Sequence, residues 1–364
     1  MNPRVSTEAA FIDLISGRRV GVGANLMRAA LAAGESIYGA AIRLRNVAFD
    51  RGWKASHAIG VPVISVGNLT TGGTGKTPIV AAVASELGRG GVRPGIASRG
   101  YRSLDERGND EKRVLDVLCK GTPHVQDRDR VAAAKRLVES AHCNAIVLDD
   151  GFQHLRLARD LDIVLIDATN PWGYGRLLPR GLLREPVSSL RRAGLIVVTR
   201  ADQAILEEIT SIDAMVRQQT DCPMVVTRFA ATGLLRSDFI REPLDLATGR
   251  RAAAFCGIGN PAAFQQTIRS LNAQLDNDAV IAFPDHHAYA RQDVERVFEL
   301  ARQRAAEVVL CTLKDLVKLP HDLPAGPPIF AIDIGVEFLS GRVAWDTGLA
   351  AVAEASAVRR STSG

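Results

Sequence analysis

Short apolar runs separated by polar or glycine-bearing stretches dominate this chain. The runs at 61–66, 92–98, 145–150, 161–166 and 195–199 are five to seven residues long and bounded by turn residues. That length and continuity predict buried strands. Further strand candidates lie at 224–227, 252–256, 280–283, 308–311 and 329–332. Helical stretches alternate with several of them, notably at 261–272 and 292–305. Strand–helix alternation predicts an α/β fold with mainly parallel sheets. The longest helical pattern covers about 24–50, where Leu26, Ala30, Ala33, Ile37, Ala41, Leu44 and Ala48 recur at spacings of three and four and share one face. Arg28, Arg43, Arg45, Arg51 and Lys54 add positive charge there against Glu35 and Asp50. Two readings stand: a helix packed on its domain with solvated arginines, or an in-plane anchor drawn to anionic headgroups. The alanine-rich face favours the packed helix. Residues 1–22 read as poorly constrained, with a short helix at 11–15 stopped near Gly17, and the tail from about 357 is expected to fray.

Chemistry enters at the first strand. Its apolar run leads into Gly72-Gly73-Thr74-Gly75-Lys76-Thr77, and a helical pattern follows at once. Strand, glycine-rich turn and helix are the setting of a phosphate-binding P-loop. Glycines let successive N–H groups curl round an anion, and the helix start turns its positive dipole end to it. Lys76 is then placed for the β/γ-phosphates and the Thr77 hydroxyl for Mg²⁺. The first glycine of the general pattern is replaced by Thr70. The run at 145–150 ends in Asp149-Asp150, which with a P-loop upstream is a Walker B arrangement for Mg²⁺. His154 follows in Gly151-Phe152-Gln153-His154, close to the phosphates on this reading. Arg99 stands at the C-terminal end of its strand, the edge where α/β sheets bind ligands. The segment at 173–186 is rich in glycine, proline, leucine and arginine. It carries Arg176, Arg180, Arg184 and Glu185, and reads as a surface loop or as a clamp for an anionic acceptor. Phe283-Pro284-Asp285-His286-His287 and Thr312-Leu313-Lys314-Asp315 also follow strands. With no further ligand at metal spacing they read as proton-transfer chemistry and not as a zinc site.

Composition narrows this little. At 364 residues, with 46% hydrophobic and 23% charged, the chain is globular and long enough for one large or two ordinary domains. A net charge of +5 and only 5% aromatic residues give no case for nucleic-acid binding. The five cysteines are odd in number and widely spaced, so neither a disulfide framework nor a zinc site is suggested and a reducing cytoplasm fits. No uncharged apolar run approaches the ~18–20 residues of a membrane span, and no signal-peptide pattern opens the chain.

The assembled motifs resemble the tetraacyldisaccharide 4′-kinase (lipid A 4′-kinase) family. Pro62 to Leu69 with Asn68, the loop to Pro78, Ser98-Arg99-Gly100-Tyr101, Asp129-Arg130-Val131 and Leu148-Asp149-Asp150-Gly151-Phe152-Gln153-His154 match in family order. So do Leu177 to Pro186, Phe283-Pro284-Asp285-His286 and Lys314-Asp315. The resemblance implies ATP-dependent phosphorylation, with Mg²⁺, of the 4′-hydroxyl of a tetraacylated glucosamine disaccharide 1-phosphate. It implies a peripheral protein on the cytoplasmic face of the inner membrane, with no nucleic acid and no obligate protein partner, and it moves the N-terminal helix to the lipid surface. It also implies two α/β/α domains with the site in the cleft between them. By motif, His286 is the assisting histidine and Asp110 the acid, within Gly108-Asn109-Asp110-Glu111; this run departs from the family's Gly-Asp-Glu-Pro, which leaves Glu111 as the rival. Asn68, Arg99, Arg130, His154, Arg184 and Glu185 match substrate or secondary-site positions. The expected layout is residues 1–22 poorly constrained, 23–57 a membrane-associated helix, 58–155 a P-loop domain, 156–345 a second, smaller α/β domain whose last elements could return to the first, and 346–364 a tail. The competing reading is a P-loop switch or partitioning ATPase, or a GTPase. The former usually carries a lysine where this chain has Thr71, and neither Thr199-Arg200-Ala201-Asp202 nor Lys314-Asp315 matches a guanine-reading motif well.

Overall fold

A computed structural model of the chain describes residues 3–100 and 109–361, with backbone alone for 3–8, 277, 278, 360 and 361. Tyr101, Gly108 and the intervening polar loop lie outside the described residues, as do 362–364. In chain order the elements are α1 (Pro3–Ile15), α2 (Val22–Asp50), β1 (Val63–Asn68), α3 (Lys76–Arg89), β2 (Pro94–Ser98), α4 (Asp110–Leu118), β3 (His124–Gln126), α5 (Arg130–Glu139), β4 (Ala145–Asp149), β5 (Leu161–Asp167) and β6 (Leu195–Thr199). Then come α6 (Leu206–Arg217), β7 (Met224–Arg236), β8 (Arg241–Glu242), β9 (Arg251–Cys256), α7 (Pro261–Ser270), β10 (Gln274–Ala282), α8 (Arg291–Gln303), β11 (Val308–Thr312), α9 (Leu313–Leu316), β12 (Ile329–Ser340) and α10 (Arg342–Ser361).

The chain forms two compact units: residues 1–101, 119–228 and 336–364, and residues 102–118 with 229–335. In the first, the strands run β7-β6-β5-β1-β4-β2-β3, with the pairs parallel throughout. Every position of β1 is buried, so helices and loops cover both its faces. One apolar cluster gathers Leu69, Phe152, Val164, Ile166, Ile196 and Val198; another gathers Val63, Ala97, Ala134, Leu137, Ile146 and Leu148. In the second unit the order is β10-β9-β11-β12-β7, with β8 antiparallel to β7. Phe255, Tyr289, Val297, Phe298 and Val309 centre one cluster there, and α4 reaches it through Val114.

Four expectations need correction. The domain boundary is not at 155/156, because β5 pairs with β1 in register, Ile64 opposite Leu161 through Asn68 opposite Leu165, and so belongs to the P-loop unit. Residues 109–118 leave that unit for the second, where α4 packs on α9. Residues 3–22 are better fixed than a poorly constrained segment: α1 runs to Ile15, Leu14 and Ile15 are buried, and the Ile15 carbonyl accepts from Arg180 Nη1 at 2.9 Å. Residues 346–361 are no tail but the body of α10, which buries Leu349, Val352 and Ser356, while Trp345 beside them donates Nε1–H to Glu86 Oε2 at 2.5 Å. The helix starts after Gly341, whose φ of +78° closes β12, and small residues give α10 a buried side that a reading for large apolar positions passes over.

Candidate active site

In the first unit the phosphate loop leaves the C-terminal end of β1. Gly72 and Gly75 have φ of +108° and +83°, conformations that a Cβ would strain. Register places Val66 of β1 beside Asp149 of β4, so the two strand ends emerge together. Lys76 Nζ lies 3.1 Å from Asn68 Oδ1 and 3.7 Å from Asp150 Oδ1. Asn68 in turn donates from Nδ2 to the Thr70 carbonyl at 2.5 Å, so β1's last residue props both the loop and its lysine. Thr199 Oγ1 donates to the Thr74 carbonyl at 2.9 Å, and Arg200 Nη2 to the Gly73 carbonyl at 2.6 Å.

The arginine-rich segment at 173–186 is fastened to this loop. Thr71 N–H donates to the Leu182 carbonyl and Arg184 N–H to the Leu69 carbonyl, both at 2.7 Å. Arg184 Nη1 then meets both Asp150 oxygens, at 2.8 and 2.9 Å. Burial works to raise the Asp150 carboxyl, but Lys76, Arg184 and Arg130 outweigh it and hold the group below the ordinary carboxylate range. Asp129 caps α5 by accepting from the N–H groups of Val131 and Ala132, which sets Arg130 at the first helical position, buried and within the field of Asp149 and Asp150. Arg99 is exposed at the end of β2. His154 is pushed down to about 4, by burial first and then by Arg130 and Arg156, so it is neutral at pH 7; its Nε2 is buried without a hydrogen-bond partner.

Glu185 is enclosed by protein side chains. It has no exposed surface, and its oxygens accept from Arg45 Nη2 at 2.6 Å, Asn46 Nδ2 at 3.1 Å and Arg192 Nη2 at 2.8 Å. It fastens α2 to the loop that carries Arg184. Tyr38 Oη, which donates to the Arg184 carbonyl at 2.8 Å, and Glu35 Oε1, which accepts from Leu177 N–H at 2.9 Å, do the same. The docked side of α2 thus carries Glu35, Tyr38, Arg45 and Asn46 together with the buried small residues Ala24, Gly39 and Ala48. Of the repeating apolar positions, Leu26, Ile37 and Leu44 are 67%, 74% and 66% exposed, contrary to the packed-helix reading, whereas Ala48 is buried.

In the second unit Asp110 opens α4 and is buried, while Glu111 beside it is exposed. Asp110 Oδ2 is 3.1 Å from His286 Nδ1. His286 takes a left-handed conformation (φ 58°), and its ring is 60% exposed. Its hydrogen bond to Asp110 raises its pKa above the ordinary histidine value, against burial and with help from Asp285. Burial pulls Asp110 upward, but the His286 hydrogen bond and the Lys318 and Lys314 charges bring it below the usual range. The adjacent His287 has a different role: its Nε2 meets Asp293 Oδ2 at 3.0 Å and its ring stacks on Phe283. Sequence reasoning missed Lys318, whose signal was a single lysine inside Leu316-Val317-Lys318-Leu319. It also missed Gln153, which donates to the Asn68 carbonyl at 3.0 Å and accepts from Arg184.

A glycine loop with its lysine, backed by strand-end aspartates on a parallel sheet, defines a P-loop nucleotide-binding protein. The sequence profile of the tetraacyldisaccharide-1-P 4′-kinase family, LpxK, matches residues 27–352. The tetraacyldisaccharide 4′-kinase of Anaeromyxobacter dehalogenans strain 2CP-C is 39% identical over 345 residues, covering 89% of this chain and 90% of that protein. That of Halothermothrix orenii is 33% identical over 350 residues, covering 88% and 90%. A crystal structure of LpxK from Aquifex aeolicus in complex with ATP superposes with a TM-score of 0.73 at 28% identity, over 90% of this chain and 99% of that one. The chain belongs to the tetraacyldisaccharide-1-P 4′-kinase family. It is a phosphotransferase acting on a hydroxyl, and the switch-ATPase and GTPase readings are not favoured.

Proposed function

We propose that this chain transfers the γ-phosphate of ATP to the 4′-hydroxyl of a tetraacylated glucosamine disaccharide 1-phosphate, with Asp110 and His286 as the proton-accepting pair. The observation that carries the reading, in a chain of this family, is the 3.1 Å contact between Asp110 Oδ2 and His286 Nδ1. A carboxylate buried behind an exposed imidazole is proton-abstraction machinery, which a nucleotide switch does not need. With Nδ1–H donating to Asp110, Nε2 accepts the hydroxyl proton as the sugar oxygen attacks phosphorus. Gly72 to Gly75 turn backbone N–H groups to the β/γ-phosphates, and Lys76 adds a positive charge there. Arg99 and Arg130 take anionic oxygens of ATP or of the acceptor, Asn68 and Arg184 hold Lys76 and Asp150 in place, and His154 stays neutral beside them.

Thr77, Asp149 and Asp150 would hold Mg²⁺. No three His, Cys, Asp or Glu side chains gather as a metal site among the described residues. That fits an ion which takes one or two carboxylates and fills its remaining positions with water and phosphate. When bound, Mg²⁺ neutralises charge on the β- and γ-phosphate oxygens.

The test is direct. The protein is incubated with ATP and the disaccharide 1-phosphate lipid, and a bisphosphorylated lipid is expected. Nucleotide hydrolysis with no lipid product would instead support a switch ATPase.

We also infer attachment to the cytoplasmic membrane surface. No helix among the described residues is long and apolar enough to cross a membrane. α2 exposes Leu26, Ile37 and Leu44, and Arg43, Arg51, Lys54 and Trp53 are exposed as well. In co-sedimentation with anionic phospholipid vesicles, the Leu26→Asp/Ile37→Asp variant should lose binding at least ~10-fold, since burying each such side chain contributes ~1.5–3 kcal/mol. Unchanged sedimentation would remove α2 from the attachment.

A further inference from the structure

Lys318 follows α9 in an apolar run, and its side chain is only 3% exposed. Its Nζ lies 3.6 Å from Asp110 Oδ2, 3.5 Å from Asp315 Oδ1 and 5.5 Å from the centre of the Tyr289 ring. Asp315 has no exposed surface and does not move freely. It accepts from the Gly257 N–H at 3.0 Å, the Tyr289 hydroxyl at 2.9 Å and the Thr312 hydroxyl at 2.6 Å. A fixed carboxylate thus anchors an ammonium that reaches the same Asp110 oxygen as the His286 imidazole. Burying two carboxylates and a lysine is costly, and apolar side chains of similar volume commonly serve stability as well or better. The arrangement suits a function.

We propose that Lys318 is a positioning residue for phosphoryl transfer: by bridging Asp315 to Asp110, it holds the Asp110 carboxylate in place with Oδ2 turned to His286. The inference rests on Asp110 and His286 being the proton-accepting pair. Other charges also face the pair. Lys314 approaches from α9 and Asp285 from the loop after β10. On α4 itself, Lys112 is engaged with Asp116 and Arg113 donates to the Val317 carbonyl, while Glu111 is exposed. Lys314 remains when Lys318 is removed, so the electrostatic loss is partial.

The sign of the pH effect follows. Removing a positive charge near the pair favours the protonated imidazole, so the base deprotonates at higher pH. In Lys318→Met, kcat for lipid phosphorylation should fall ~10–100-fold and its acid limb should move up by about half to one pH unit, while KM for ATP changes less than ~3-fold. Lys318→Met/Asp315→Asn, which removes both buried charges, guards against a folding defect and should show the same lowered kcat with a smaller upward movement of the limb, because the anion that opposed Lys318 is gone as well. A melting loss with the acid limb unmoved would make Lys318 structural and overturn the inference, as would parental kcat and pH profile in either variant. Asp110→Asn separates the two readings. If it retains turnover, the proton-accepting pair is wrong. If it is inactive while the Lys318 variants match the parent, only the positioning role fails.

Discussion

Lys76→Ala should abolish lipid phosphorylation, with kcat falling ~10³-fold or more, because a charge placed on the transferring phosphate contributes chiefly in the transition state. The fold should survive. Lys76 contacts Asn68 and Asp150 without being buried in an apolar core, and Asp150 keeps the Arg184 guanidinium when the lysine is gone. Asn68 still donates to Thr70, so the loop keeps its prop. The melting temperature should therefore shift by only a few degrees, a ~1 kcal/mol effect in a chain of this size. Lys76→Arg should recover little, since a planar guanidinium does not replace a compact ammonium inside a closely fitted glycine loop. The check is paired: product formation with the disaccharide 1-phosphate lipid, and a thermal melt of the same preparation. Turnover within ten-fold of the parent would take Lys76 away from the phosphates.

The parts of the site that are local in sequence were legible. The phosphate loop lies between one apolar run and one helical pattern, and Asp149 ends another run. Strand order then does the rest, because parallel strands β1 and β4 bring their C-terminal ends side by side. What was not legible depends on pairings that no local pattern encodes. Asp110 and His286 are 176 residues apart, and only the family resemblance joined them. The domain boundary fell at the wrong place for the same reason. The run 161–166 looks like any buried strand, and nothing in it says that its neighbour is β1.

Glu185 and α2 illustrate a second difficulty. An acidic residue inside an arginine-rich loop reads as part of an anion site, yet its partners Arg45 and Asn46 come from α2, about 140 residues earlier. Periodicity found the helix at α2 but could not say which of its residues meet protein. Glu35, Tyr38 and Asn46 do, because they satisfy hydrogen bonds along the loop at 177–185. Hydrogen bonds thus run from α2 to the residues flanking Arg184 and on to the phosphate loop.

Asp110→Asn should lower kcat ~10²–10⁴-fold, the range expected when a general-base assembly is disabled. The amide keeps the shape and can still face Nδ1, so loss of packing does not explain the fall. The pH profile separates this from nonspecific damage. The Asp110 hydrogen bond and charge raise the His286 pKa above 6.5. Without that anion the imidazole loses its proton at lower pH, so the acid limb of the residual activity should move down. This is opposite to the upward movement expected of Lys318→Met. Asp285, 3.9 Å from Nε2, remains and limits the shift. Stability should follow the same linkage. A histidine whose folded pKa is raised stabilises the fold fully below its unfolded value near 6.5, and that contribution is lost as pH rises through the folded pKa. The melting temperature difference between parent and Asp110→Asn should therefore be greater at pH 6 than at pH 9, by a small amount because the imidazole is well exposed. Glu111→Gln, at the exposed neighbouring carboxylate, should leave both kcat and the acid limb close to the parent. If Glu111→Gln caused the large loss and Asp110→Asn did not, the proton would be passing to the other carboxylate.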